Sequence, residues 1–160
     1  MGKGDKSKDE PRETVVCRNR RAWHQYEIMD TIEAGIVLVG SEVKSLRAGH
    51  ASIEEAYARV DDGQVLLIDC DIPEYPQANQ FNHKPKRPRK LLLHRREVAK
   101  FAGEAHQRGC TLVPLKLYFR RGFARVEIAL ARGRKLHDKR EALKKADAQK
   151  EMKRAAGRRR

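Results

Sequence analysis

A mainly β fold is what this 160-residue sequence predicts: a small antiparallel barrel with flanking helices and a basic tail. Three patterns lead there. Short apolar or alternating runs are separated by glycine-bearing turns. One amphipathic helix interrupts them. The C-terminal stretch is rich in helix formers but nearly free of large apolar side chains. Short strands separated by turns close into barrels or sandwiches, and 39% hydrophobic content supports one modest core.

Residues 1–12, rich in Lys, Asp, Gly and Ser, predict a disordered arm without the apolar stretch of a signal peptide. Residues 12–25 are basic and end in Arg20, Arg21, Ala22, Trp23 and His24, which predicts a short helix. Residues 26–32 alternate weakly as a strand. Ile36, Val37, Leu38 and Val39 form a clearer one between Gly35 and Gly40. Ser41 to Leu46 reads as one or two helical turns stopped by Gly49. Asp62-Gly63 between apolar runs 56–60 and 65–68 is a strong hairpin signal. Residues 73–90 hold four of the six prolines and predict a long loop. Val98, Phe101, Ala102 and Ala105 fall at i, i+3, i+4 and i+7, the face of a helix over 95–108 that Gly109 ends. Leu115, Leu117 and Phe119 alternate with Lys116, Tyr118 and Arg120. Arg121-Gly122 then turns the chain into a last alternating strand, 124–130. Six strands with a helix before the last pair favour an OB-like barrel.

Residues 138–156 stand apart. Asp138 with Glu141 forms a capping-box-like start, and Leu143 and Met152 are the only large apolar residues. Such a helix has little to bury, so the tail is expected to be disordered alone and to become helical on a polyanionic surface. The organisation expected is an arm over 1–12, a barrel over 13–136 and a tail over 137–160.

The formal net charge is +14, and it is concentrated. Residues 84–100 carry eight Lys/Arg against Glu97, and residues 132–160 carry thirteen against four acids, so the rest of the chain nets −2. Two basic blocks on a near-neutral chain point to a polyanionic partner. No apolar run approaches the ~20 residues of a membrane span. The tail also lacks the apolar face of a membrane-surface helix.

Catalytic chemistry finds little support. There is no phosphate-binding glycine loop, no HExxH and no nucleophile elbow. Cys17, Cys70 and Cys110 are odd in number and form no CxxC, which implies a reducing cytoplasm. Asp69 and Asp71 beside Cys70 disfavour its thiolate, so a core role is expected. Glu33, Asp69 and Asp71 are the only candidates for a metal-dependent nuclease, and nothing in the sequence brings Glu33 to the other two. The six histidines are scattered. Neither a metal nor a cofactor is expected.

Binding chemistry is better represented. RNA recognition combines cations for phosphates with flat side chains that stack on unpaired bases. Trp23, His24 and Tyr26 follow Arg18, Arg20 and Arg21. Phe81 and His83 lie beside Lys84, Lys86 and Arg87. Tyr118, Phe119 and Phe123 lie beside Arg120, Arg121 and Arg125, with Phe119 expected in the core. His137, between barrel and tail, is a stacking candidate.

Longer strings add a resemblance. Asn19-Arg20-Arg21-Ala22, Tyr26 and Glu33-Ala34-Gly35-Ile36 come first. Glu42-Val43-Lys44-Ser45-Leu46-Arg47-Ala48-Gly49, Phe81-Asn82-His83 and Arg89-Lys90-Leu91-Leu92-Leu93-His94 follow. Residues 111–117 and 133–140 complete an ordered set that resembles the SsrA-binding protein family. The loop over 71–88 departs from that family in its abundance of Pro and Lys.

The resemblance implies an OB-like barrel without catalytic activity. It would bind the tRNA-like part of transfer-messenger RNA (tmRNA) and bring it to ribosomes stalled on truncated messages. Glu33 resembles the family's RNA-binding glutamate, and Leu92, His94 and Arg125 resemble other positions of that surface. Arg20, Arg21, Tyr26 and Lys90 are expected to join them. Asp138-Lys139-Arg140 resembles a motif needed on the ribosome, and His137 a residue that stacks in the decoding centre, with Lys135 beside them. The tail would enter the message channel only when it is empty. The expected partners are tmRNA and the small ribosomal subunit, engaged by a monomer. A basic factor acting on ribosomal RNA is the main rival.

Overall fold

The computed structural model describes residues 12–157. Seven strands form one antiparallel sheet that closes on itself. In chain order they are β1 (Glu13–Arg18), β2 (Tyr26–Ile36), β3 (Tyr57–Asp61), β4 (Gln64–Ile68), β5 (Arg89–Leu92), β6 (Thr111–Arg120) and β7 (Phe123–Gly133). The helices are α1 (Ala22–Gln25), α2 (Gly40–Arg47), α3 (Arg95–Arg108) and α4 (Leu136–Gly157), with a 3-10 turn at Pro76–Phe81. The barrel runs β6-β3-β4-β5-β2-β7, and β7 returns to β6. β1 lies on β6 with Glu13 opposite Arg120. Closure leaves no free edge at the β6–β7 seam.

Both expected hairpins form. At their tips Asp62-Gly63 and Arg121-Gly122 have positive φ at both positions, the backbone twist that suits a two-residue hairpin turn. The helix over 95–108 forms with Gly109 left-handed at its end. The first strands differ from expectation. Residues 13–18 form a strand ahead of the one-turn helix, and residues 26–36 form one long strand rather than two. β5 emerges from the end of the proline-rich loop.

Leu46, Ile53, Leu67, Ile72, Leu117, Val126, Ile128 and Leu130 fill the interior, and Cys70 is buried among them. Burial pushes the Cys70 thiol up to about 11. Pro114 cannot donate to the ladder, and β6 shifts register between Pro114 and Lys116. The bulge turns Leu115 away from Leu117. It packs outside the barrel with Ala22, Val113, Ala129 and Ala131, against Tyr26 and Ile28.

A buried polar clamp closes one side. The Glu42 and Arg89 side chains are fully buried. Arg89 Nε donates to Glu42 Oε1 at 2.9 Å, and Arg87 Nη2 donates to Oε2 at 2.8 Å. The Val39 N–H also donates to Oε2. Burial pushes the Glu42 carboxyl up, but these hydrogen bonds and the two guanidinium charges outweigh it and hold it below the usual range. Arg89 also donates to the Cys70 and Pro85 carbonyls. One network therefore ties α2, β5 and the 71–88 loop together. In that loop His83 is buried, with its ring bonded to Ser41 Oγ and the Ile72 carbonyl. It serves the fold and is not available to stack.

The tail is helical over residues 136–157, beginning two residues before the expected start at Asp138. Composition alone predicts disorder until binding. The run of Ala, Lys, Arg, Glu and Gln, each a strong helix former, carries the segment into helix here.

Candidate nucleic-acid interface

The strand periodicity puts Glu33 and Gly35 of β2 on one side of the sheet. Gly35 faces Leu92 of β5 on one flank and Arg125 of β7 on the other. A Cβ at position 35 would lie 3.2 Å from the Leu92 Cβ and 3.7 Å from Arg125 Nη1. Glycine therefore lets these two side chains converge over the strand. Leu92 is 54% exposed, an apolar shelf beside a guanidinium. Arg125 Nε is buried and has no hydrogen-bond partner among the described residues.

Glu33 stands opposite Glu127. Its Oε2 accepts from the Tyr118 hydroxyl and is ion-paired with Arg120 Nη1 at 2.7 Å. Arg120 also pairs with Glu13, as does Lys116, at 2.8 Å. Lys116 lies 3.7 Å from Glu127 and over the Tyr118 ring at 4.4 Å. Burial, together with the hydrogen bond to Glu33 and its charge, pushes the Tyr118 phenol up, so it remains a donor at neutral pH. Lys116 and then Arg120 hold the Glu13 carboxyl below its usual range. Lys116, Arg120 and Arg125 thus balance Glu13, Glu33 and Glu127, and the patch is neutral within a chain of +14.

The other expected positions fall into two groups. Lys90 is exposed two residues before Leu92 on β5. His94 is exposed at the start of α3, where its N–H donates to Glu97 at 2.9 Å, and Arg95 and Arg96 are exposed beside it. These residues flank the Glu33 patch, and Lys90, Arg95 and Arg96 form no ion pair among the described residues.

Arg20, Arg21 and Tyr26 lie elsewhere. Tyr26 opens β2, seven residues from Glu33 and roughly 23 Å away at strand rise. It packs on the outer apolar cluster. Arg21 pairs with Glu54 at 3.4 Å, and Arg20 is exposed. This end of the barrel is the root of the tail. The Arg134 N–H donates to the Gln25 carbonyl and Arg134 Nε to that of Tyr26. Lys135 lines a cleft of about 600 Å³ with Glu27, Arg132, Arg134, Glu141 and Lys145. Arg140 is exposed on α4. His137, Asp138 and Lys139 occupy its first turns, and their side chains lie outside those described. Among the aromatics, Trp23, Phe81 and Phe123 are exposed, Tyr118 is buried and Phe119 packs on the core.

A sequence model of a family described as SmpB protein matches residues 16–158, from within β1 through α4. The chain belongs to the SmpB family. An SsrA-binding protein of Bradyrhizobium sp. (strain ORS 278) is 57% identical over 142 residues, covering 88% of this chain and 90% of that protein. One from Acidothermus cellulolyticus is 54% identical over 145 residues, covering 91% of each. A solved structure described as "tmRNA-SmpB: a journey to the center of the bacterial ribosome" contains a chain 48% identical to this one, with a TM-score of 0.65. The match covers 79% of this chain and 93% of that one.

Membership of the SmpB family also accounts for the strings that carried the resemblance, because the structure gives many of them structural work. Asn19 is buried and donates to the Ile53 and Pro114 carbonyls. Glu42, Ser45 and Leu46 are the buried residues of α2. Asn82 bridges the backbone of Tyr75 in both directions. The sequence groups Tyr118 and Arg120 with Arg125 as binding candidates, but their hold on Glu33 and the part of Glu13 were not foreseen. The one available signal was the alternation that placed Lys116, Tyr118 and Arg120 on a common face.

Proposed function

We propose that this chain binds the tRNA-like part of tmRNA and brings it to stalled ribosomes for trans-translation. In this reading the barrel recognises the RNA and the tail probes the empty message channel. Family membership carries the reading, because the match takes in barrel and tail alike and a 48% identical relative is described with tmRNA and the bacterial ribosome. The geometry supports a division of work among the parts. Glu33, Leu92 and Arg125 form a neutral reading patch. Lys90, His94, Arg95 and Arg96 beside it supply phosphate contacts. Arg20, Arg21 and Tyr26 support the tail root. Lys135, His137, Asp138, Lys139 and Arg140 begin the ribosomal segment.

The protein acts by binding and without a cofactor, in the cytoplasm, where ribosomes are. The nuclease reading finds no support. Glu33 is engaged by Tyr118 and Arg120. Among the described residues no three metal-ligating side chains converge. The ribosomal-RNA rival is tested by binding to tmRNA, ordinary tRNA and an unrelated hairpin, for the full chain and for a truncation after Leu136. Both forms are expected to prefer tmRNA to a similar degree. Equal affinity for all three RNAs would favour the rival.

A further inference from the structure

We propose that Tyr118 and Arg120 are positioning residues that occupy one oxygen of Glu33 so that only the other is offered to RNA, where it accepts from a single base amino group or ribose hydroxyl. The inference rests on the reading of Glu33 as part of the tmRNA surface and says what that carboxylate reads and what holds it.

A free carboxylate beside RNA is a poor choice for holding phosphates, which it repels. It accepts hydrogen bonds and donates none. Its value is therefore discrimination, provided its orientation is fixed. Here Oε2 accepts from the Tyr118 hydroxyl and is ion-paired with Arg120 Nη1. Oε1 accepts no hydrogen bond among the described residues, and the side chain is about one-third exposed. Tyr118 cannot swing away, because it is buried between strands, opposite Val15 on β1 and Arg125 on β7. Arg120 is held in turn by Glu13.

The charge balance points the same way. Each of Lys116 and Arg120 is already paired with carboxylates, so the patch releases few counterions on binding and contributes little to salt dependence. What it offers instead is an oriented acceptor, the apolar shelf of Leu92 and the half-buried guanidinium of Arg125. Those are the parts that receive an unstacked nucleotide, read at its edge or its 2′-hydroxyl. Phosphate contacts position and edge contacts specify. Here the two tasks fall to neighbouring but separate residues.

The experiment is a double-mutant cycle on the full chain with Tyr118→Phe, Glu33→Gln and the pair. Binding to the tRNA-like fragment of tmRNA and to an unrelated hairpin is measured across a salt series, with thermal unfolding as a control. Tyr118→Phe keeps the buried ring and removes only the hydroxyl. Each single change is expected to weaken binding to the tRNA-like fragment about tenfold, the scale of one hydrogen bond to a charged group. The pair should be no weaker than the weaker single variant. Hairpin affinity and the slope of affinity against salt should not move. Wild-type affinity in Tyr118→Phe, or losses that multiply in the pair, would overturn the positioning role.

Analogue interference then separates the two donors. Pools of the fragment carrying 2′-deoxy or inosine substitutions should reveal one position that matters to the wild type and not to Glu33→Gln. A ribose donor appears in the first pool and a guanine amino group in the second. No such position in either pool, nor with purine riboside for adenosine or pyrimidin-2-one riboside for cytidine, would overturn the single-donor reading. A wild-type chain that does not prefer the tRNA-like fragment to the hairpin would instead remove the function on which the inference rests.

Discussion

Leu117, Val126 and Leu130 in the last hairpin are fully buried, whereas Leu143 and Met152 on α4 are 52% and 66% exposed. The two regions meet at Arg134 and differ in what orders them. The barrel is fixed by a closed sheet, a filled interior and a buried ion network before any RNA arrives. Beyond its root, the tail helix relies mainly on its own hydrogen bonds and helix propensities, which leave an isolated helix marginal in water. A preformed surface suits recognition, since it binds without an ordering cost. A marginal helix suits a probe, since its order can depend on where it is placed.

The largest expected effect breaks the barrel and spares the tail. Glu42→Ala leaves Arg89 buried without its carboxylate and should cost about 3–5 kcal/mol in denaturant unfolding. The acid side follows from the same pair. The Glu42 carboxyl is held below its usual range, so the stability it contributes is present above the unfolded value of about 4.3 and is lost as pH falls through the lower folded value. Stability measured from pH 7 to pH 2 should therefore converge for wild type and Glu42→Gln at the acid end. A gap that persisted there would break the account of the clamp.

Gly35→Ala sharpens the claim that the recognition surface is preformed. The added Cβ would press on the Leu92 Cβ, which the β5 backbone fixes, so the two strands must give by a few tenths of an ångström. Lost unfolded-state entropy offsets part of that strain, so stability should change by no more than ~1 kcal/mol. Binding to the tRNA-like fragment should nonetheless fall several-fold, because Leu92 and Arg125 are displaced. Unchanged affinity would show that their convergence over Gly35 is not used.

Much of the barrel was legible. Asp62-Gly63 and Arg121-Gly122 announce their hairpins because two-residue turns need positive φ, and the α3 face follows from 3.6-residue spacing. What was not legible has physical causes. β5 hides in a basic, proline-rich stretch because its inward residues are Arg89 and Leu91, and a buried arginine breaks the hydrophobic alternation. The bulge after Pro114 moves Leu115 to a second cluster, which no period-2 pattern shows. Of the site, the residues carried by resemblance were named, but the contacts that orient Glu33 were not. Tyr118 lies 85 positions away from it, and only strand register brings them together.

Smaller effects are expected in the tail. Removing residues 137–160 should leave the unfolding midpoint and the affinity for the tRNA-like fragment within about twofold, while delivery to stalled ribosomes is lost in a reconstituted trans-translation assay. Leu143→Ser, on an exposed face, should change stability by less than ~0.5 kcal/mol. A larger loss would mean that α4 packs more firmly than its exposure indicates.

Hydrogen–deuterium exchange of the full chain, free and with the tRNA-like fragment, tests the contrast most directly. Amides of β2, β6 and β7 should be strongly protected in the free chain, those of residues 140–157 should exchange nearly as fast as an unstructured segment, and the fragment should add protection around Gly35 and Leu92 and leave the tail unchanged. A tail protected like the barrel in the free chain, or protected by the fragment alone, would contradict the division between a preformed reader and a probe ordered only on the ribosome.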